Sequence, residues 1–379
     1  MRIVLDARMY GLKHAGIGRY VLNLVNELEK RKLEDDFYIL LRKESFDSLN
    51  FKNPKIKKVK AEIAHYGLSE QIVLPFLLKR LKPDLVHFPH FNIPLFWLGR
   101  YVVTIHDLIK HESKGKETTT RLQVFYWLKF LLYRLIVFSS IKRAKKIIVP
   151  SDYWKKKLAK NYSLSEKKIM TTYEGADDFL KKQKKNTSDL ILKKFKIDMP
   201  FVVYTGSLYP HKNIERLAKA IRLINKEKNL LLVIVCGRNV FWKRFKNWLV
   251  KEELGSFVKL LGFVDDSDLF SLYQKAEAFA FPSLLEGFGL PPLEAMAAGL
   301  PVVSSNATCL PEIYGNAAYY FNPLSVSDMA KSIEKVIFDK KLQEELKKKG
   351  AKQVKLYSWE KMADETLRIY HSEVIQRKK

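Results

Sequence analysis

Cysteine is almost missing from this chain. Cys236 and Cys309 are the two in 379 residues, each inside an apolar segment. That leaves no disulfide framework and no metal-ligand spacing. It fits a reducing compartment, so a cytoplasmic protein is expected. Glycine (16) and proline (14) are too few for a fibrous or low-complexity chain. Acidic residues are in deficit: 41 against 68 Lys and Arg leave a formal net charge of +27. Such an excess favours an anionic partner, whether nucleic acid, an anionic membrane surface or a phosphorylated small molecule. A lysine-rich solvated surface would read the same way. Long apolar runs are absent too. The most apolar stretch, 122–138, is broken by Gln123, Lys129 and Arg134. It falls short of the roughly 20 clean residues of a spanning helix, so no transmembrane segment is expected. MRIVLD at the start reads as a buried strand and not as a signal peptide. Nothing resembles a zinc finger or a helix-turn-helix, so no nucleic acid is expected as partner.

What is present is a regular alternation. Short β-branched runs, at 3–7, 37–41, 85–88, 101–107 and 146–150, are separated by helical patterns. A second set follows at 201–206, 230–237, 258–264, 276–282 and 301–305. Runs of this kind form parallel sheets covered on both faces, and two sets imply two doubly wound α/β domains. The predicted first domain is 1–180 and the second 198–359. The segment from about 360 to 379 is expected to pack back on the first. Between the domains lies a charged linker, 178–199, in which Thr187, Ser188 and Asp189 could cap a short helix, Leu190 to Phe195.

The densest chemistry is in PSLLEGFGLPPLEAMAAGLPVV, 282–303. A strand ends at Pro282. Gly287 and Gly289 flank Phe288 and let the backbone approach a ligand closely. Pro291 and Pro292 suit the first turn of a helix, and Glu294 is expected in that turn. Gly299 ends the helix and PVVSS begins the next strand. Free N–H groups at such a helix start bind phosphate. Glu286 and Glu294, eight positions apart around the glycines, suit sugar hydroxyls, because an ionised carboxylate accepts strong hydrogen bonds. A second segment, VVYTGSLYPHKNIERLAKAI (202–221), puts Lys212 just before a helix, where a cation and free N–H groups can share one anion.

These residues resemble the retaining glycosyltransferases of family four, the group 1 glycosyltransferases of GT-B fold. Glu286, Gly287, Phe288, Gly289, Leu290, Pro291, Glu294, Ala295, Gly299 and Pro301 match the family signature in order. The resemblance implies two Rossmann-like domains facing a central cleft, the second binding a nucleotide-sugar donor. It implies that Glu286 contacts hydroxyls of the donor sugar. The backbone at Phe288, Gly289 and Leu290 would hold the diphosphate, and Glu294 the ribose. Gly206, Ser207 and Lys212 match the loop on the donor phosphates. There the family often has arginine at Ser207 or His211, and Arg238 could supply the missing charge.

In the first domain, Gly16 and Gly18 of GIGRY (16–20) permit a tight loop before a helix opening at Arg19, and the resemblance sets them near the donor phosphate or the acceptor. His106 and Asp107 end a strand (YVVTIHDLI). Family likeness makes His106 a hydrogen-bond partner of the sugar. His90 and Asn92 in HFPHFNIP are acceptor-side candidates along with Asp107. VPSDY (149–153) and EGAD (174–177) are two further landmarks.

His106, Lys212 and Glu286 are therefore the expected catalytic set. No metal and no cofactor are expected; the donor is a substrate. The implied reaction is hexose transfer with retained configuration. The forms HKN and EGFGLPPLEA look most like mannosyltransferases using GDP-mannose, with a glycan or polyprenyl-linked acceptor in surface polysaccharide synthesis. A uridine-diphosphate donor stays open, as do a sucrose-phosphate-type synthase and a basic nucleic-acid- or membrane-binding protein without catalysis. RLQVFYWLKFLLYRLIVFSSIKRAKK (121–146), rich in aromatic and basic residues, reads either as a long buried helix or as an interfacial one on the inner face of the cell membrane.

Overall fold

The protein is described from a computed structural model covering residues 1–109, 123–176 and 190–375. Asp177 and the cluster 187–189 lie outside the described residues. The chain divides into two compact units. One carries a seven-stranded sheet and the C-terminal helix Trp359–Ile375; the other carries a six-stranded sheet.

The first sheet comprises β1 (Arg2–Asp6), β2 (Asp36–Leu41), β3 (Ile56–Lys60), β4 (Leu85–Phe88), β5 (Tyr101–Thr104), β6 (Lys146–Val149) and β7 (Ile169–Thr171). Every pairing is parallel, in the order β3-β2-β1-β4-β5-β6-β7. Ile3, Val4, Leu5, Val86, Val102 and Val103 are wholly buried, as parallel strands covered on both faces must be. The chain winds outward from β1 to β3 and then returns on the other side of β1 at β4. The loops after β1 and β4 therefore diverge at the C-terminal edge, which is where an open α/β sheet opens a crevice.

Helix Trp359–Ile375 is pinned to this unit by polar contacts as well as packing. Tyr370, fully buried, meets His87 Nδ1 across 2.5 Å, Arg31 pairs with Asp364 at 2.9 Å, and His371 Nε2 meets Asp35 at 2.8 Å.

The second sheet comprises β8 (Phe201–Thr205), β9 (Leu231–Val235), β10 (Val258–Gly262), β11 (Ala278–Phe281), β12 (Val302–Ser305) and β13 (Ala318–Phe321). It is also parallel throughout, in the order β10-β9-β8-β11-β12-β13. Here the switch point lies between β8 and β11. Helix Ile214–Ile224, which follows β8, buries Leu217, Ala218, Ile221 and Ile224 at helical spacing. The predicted helix Leu190–Phe195 is present.

All ten predicted strands form. Three more do as well, β3, β7 and β13, and each is the outermost strand of its sheet. An outer strand has one open side and carries charge or stays short. IKKVK and IMT accordingly lack the unbroken β-branched run that marks an inner strand.

Candidate active site

Two loops meet at the switch point of the second unit. The loop after β8 ends in the turn Pro210–Lys212 and reaches Asn213. The loop after β11 runs from Pro282 into helix Leu290–Ala297. They are tied together by backbone and amide groups. Leu284 N donates to His211 O (2.8 Å), and Asn213 Nδ2 donates to Pro282 O (3.0 Å) and Pro323 O (2.8 Å). Asn213 is held at φ 61° by these bonds, a left-handed conformation that asparagine tolerates better than most residues.

The tie brings Lys212 Nζ to 2.6 Å from Glu286 Oε1, with the two side chains only 17% and 9% exposed. The ammonium lies 5.9 Å from the centre of the Phe281 ring. A pair this sheltered is screened less by water than a surface pair. His211 supplies no second cation. Burial, with Lys212 adding, pushes its pKa down from 6.5 to about 4. Arg238 stands in the next loop, after β9, exposed. Its guanidinium lies over Trp242 (5.7 Å) and against Gly262. Lys212 is thus the cation that the structure delivers to the switch point, while Arg238 stays one loop away.

Helix Leu290–Ala297 starts where Gly289 adopts φ 94°. A Cβ there would fall 2.2 Å from the Tyr314 hydroxyl, which donates to Gly289 O at 2.8 Å. Only glycine meets both demands. Pro291 and Pro292 follow in the first turn, where their missing N–H groups would have had no partner inside the helix anyway. The helix begins at Leu290, so Glu294 lies just past the first turn in which it was expected, and it is buried. Phe288 is buried with its ring edge-on to Tyr357 (5.5 Å). Cys309 donates its thiol to Glu286 O (3.4 Å). Burial pushes that thiol far above its usual range, so it acts as a neutral prop for the loop. Gly206 N donates to Val235 O (3.1 Å), and Ser207 O accepts from the Tyr204 hydroxyl (2.8 Å).

The first unit corrects one reading. Gly16 and Gly18 are not in a loop: helix Ala15–Glu29 already contains them. A Cβ on Gly18 would come within 2.0 Å of Gly11 O. The glycine therefore serves close packing of the helix on the β1 loop, not loop flexibility.

His106, just past β5, is clamped. Its Nδ1 meets Glu174 Oε1 at 2.9 Å, its Nε2 meets Pro89 O at 3.2 Å, and Tyr20 packs against the ring at 4.8 Å. Behind it runs a buried polar chain. The Tyr20 hydroxyl meets Thr104 Oγ1 (3.3 Å), and Thr104 meets His87 Nε2 (2.8 Å). Burial pushes His87 down to about 3, so it stays neutral. Asp107 Oδ1 accepts from Ile109 N (2.9 Å) and shapes the local turn. His90 meets the Tyr66 hydroxyl at 3.2 Å.

Asn92 is turned inward, its amide on Glu70. Glu70 belongs to a buried ionic cluster that the sequence reading did not find. Arg8 Nη2 contacts Asp6 Oδ2 (2.6 Å) and Glu70 Oε1 (2.7 Å), and all three side chains are buried. Burial works against an ionised Asp6, and the Arg8 guanidinium overrides it, holding the carboxyl below its usual range. Neither Glu174's hold on His106 nor Glu70's on Arg8 has a local pattern, because the partners lie 68 and 62 positions apart. Among the described residues no group of three or more His, Cys, Asp or Glu is arranged to hold a metal ion.

Comparison with known proteins gives this geometry a class. The family model Glycosyltransferase Family 4 matches residues 14–178, and Glycosyl transferases group 1 matches residues 187–353. O-antigen chain mannosyltransferase B of Escherichia coli is 27% identical over 391 residues, covering 98% of this chain and 99% of its own. O-antigen chain mannosyltransferase RfbU of Salmonella typhimurium is 32% identical over 262 residues, covering 68% of this chain and 66% of its own. The crystal structure of Anabaena Alr3699/HepE with UDP and glucose superposes with a TM-score of 0.73 at 18% identity, covering 98% of this chain and all of that one (100%). That likeness concerns the fold. With both halves matched by models of one enzyme class, and a relative of that class aligned from end to end, the chain belongs to the family 4, group 1 glycosyltransferases and carries their GT-B pattern of Rossmann-like domains.

Proposed function

We propose that this glycosyltransferase moves mannose from GDP-mannose, with retained configuration and without a metal, to a hydroxyl of a glycan or lipid-linked acceptor in surface polysaccharide synthesis. The Lys212–Glu286 pair at the start of a phosphate-binding edge carries the reading. The mannosyltransferase names of two relatives favour mannose.

In the proposed reaction the donor diphosphate draws Lys212 Nζ from Glu286. The freed carboxylate accepts hydrogen bonds from the sugar. The bond from the anomeric carbon to the phosphate oxygen breaks, and one to the acceptor oxygen forms on the same face. The acceptor proton leaves to the departing diphosphate. Negative charge grows on that diphosphate, and Lys212 with the N–H groups at Gly289 and Leu290 stabilises it.

The test is calorimetry with GDP, UDP, ADP and their sugar conjugates in EDTA, alongside Lys212→Ala. Micromolar binding of the guanosine ligands, lost in the variant, is expected. Preference for UDP would move the donor to uridine sugars and sink the GDP-mannose reading. No binding of any nucleotide would remove the donor site, and dependence on added magnesium would remove the metal-free mechanism.

A further inference from the structure

Three elements of the first unit turn large apolar side chains to solvent. Helix Leu68–Leu81 exposes Ile72 and Phe76, the latter by 70%. The segment after β4 exposes Phe96 and Leu98, the latter by 84%. Helix Gln123–Arg143 exposes Trp127, Leu131, Leu132, Leu135 and Phe138, each more than half. Positions 127, 131, 135 and 138 recur at helical spacing and lie on one face. The side of the helix turned away from them, with Val137 and Ser140, is buried. The helix is therefore two-faced in its setting although apolar residues surround it in sequence.

The three elements adjoin. Leu95 N donates to Gln71 Oε1 (2.8 Å), Arg143 donates to Leu95 O (2.9 Å) and to Trp97 O, and the Phe91 and Tyr133 rings lie 5.1 Å apart. Single exposed apolar residues need no explanation, but a joined set this large marks an interaction surface.

Its charge is one-sided. Lys79 and Arg80 close one helix, Arg134 stands within the exposed face of the other, and Lys142 and Lys145 follow; all are exposed. The sole acid in the two helices and in segment 89–100 is Glu70, buried against Arg8. Nucleic acid would meet the cations and leave the aliphatic side chains in water. No helix of the described residues is long and apolar enough to cross a membrane.

We propose that this face docks on an anionic lipid bilayer. The apolar side chains enter the boundary between headgroups and acyl chains, and Lys and Arg meet lipid phosphates. Tyr66 and His90, at the mouth of the β4 crevice, are 3.2 Å apart and border the same helix and loop. An acceptor carried by that bilayer would need to travel little to reach them. The surface is read from side chains and charge alone, so it goes beyond the transfer reaction.

Flotation of the full chain with vesicles tests it, using phosphatidylglycerol with phosphatidylcholine against phosphatidylcholine alone. The protein should float with the anionic vesicles and about tenfold less with the neutral ones. Leu131→Ser, Leu135→Ser and Phe138→Ser combined should cut binding about tenfold or more, with nucleotide binding and unfolding midpoint unchanged. Arg134→Gln with Lys145→Gln should weaken binding to anionic vesicles and leave the neutral background alone. Absence of wild-type flotation would overturn the proposal, as would flotation of the serine variant at wild-type level. A dimer in light scattering that the serine variant dissolves would also overturn it and assign the face to a second copy. Nucleotide binding is read on the same samples. Its loss with flotation retained would sink the donor reading and leave the docking surface standing.

Discussion

The two sheets are built alike and equipped differently. In the second unit the switch-point edge is mostly backbone: a glycine loop, a helix start, one ammonium and one carboxylate. In the first unit the corresponding edge is crowded with buried side-chain chemistry, from the Asp6–Arg8–Glu70 cluster to the Tyr370–His87–Thr104–Tyr20 chain behind His106. A diphosphate can be held by main-chain N–H groups in one contiguous segment. An edge built of side chains depends on where those side chains stand, and their positions are set by partners far away in the chain. The lesson is that the backbone-built site tolerates a varied surrounding, whereas the side-chain-built site depends on each partner.

The largest expected effect falls on the first unit. Arg8→Met strands two buried carboxylates and should destabilise that unit by about 3–5 kcal/mol, read by denaturant unfolding. A loss under about 1 kcal/mol would mean that water reaches the cluster, since surface pairs are worth that little. Replacing all three charges with apolar residues of similar size should recover much of the loss.

Next in size is Lys212→Ala. Removing a group that stabilises charge in the transition state lowers kcat by about 10²–10³-fold, with unfolding little changed. Equal loss of stability and activity would make the pair structural and erase the contrast between the two edges.

Gly289→Ala should cost about 1–3 kcal/mol, through a left-handed backbone and the Tyr314 hydroxyl. Pairing it with Tyr314→Phe relieves the clash and leaves the backbone strain, so the double-mutant cycle should show partial recovery. Strict additivity would show that the hydroxyl is not what excludes a side chain there.

The smallest effect concerns acid. His211 is neutral in the fold, with its pKa lowered from 6.5 to about 4. The unfolded chain takes up that proton first, so its stabilising contribution is full above pH 6.5 and is lost as pH falls toward about 4. His211→Gln should flatten stability across that window and leave it unchanged at pH 8. A variant as acid-sensitive as wild type would place the acid response elsewhere, His87 being the next buried imidazole.

Legibility followed the same division. The inner strands announced themselves because burial on both faces demands unbroken apolar runs; of the outer strands β10 did so as well, while β3, β7 and β13 did not. The glycine turn and helix start at Gly289 and Leu290 were readable because a turn followed by a helix start is a local pattern. Glu294 was expected in the first turn and lies just past it, since Pro291 and Pro292 suit any position in that turn and do not say which residue begins the helix. GIGRY looked like a loop because two glycines lower helix propensity, and the contact that requires Gly18 comes from Gly11 across a turn.

From the sequence by itself came the alternating parallel architecture, the glycine turn into helix Leu290–Ala297 and the charge balance, because each depends on neighbours within a few residues or on composition. Only the tertiary structure decided that Glu174 holds His106, that Arg8 joins Asp6 to Glu70, and that two helices and a loop share one apolar, cationic face. Each of these pairs groups that chain order leaves apart, and folding alone brings them within hydrogen-bonding or packing distance.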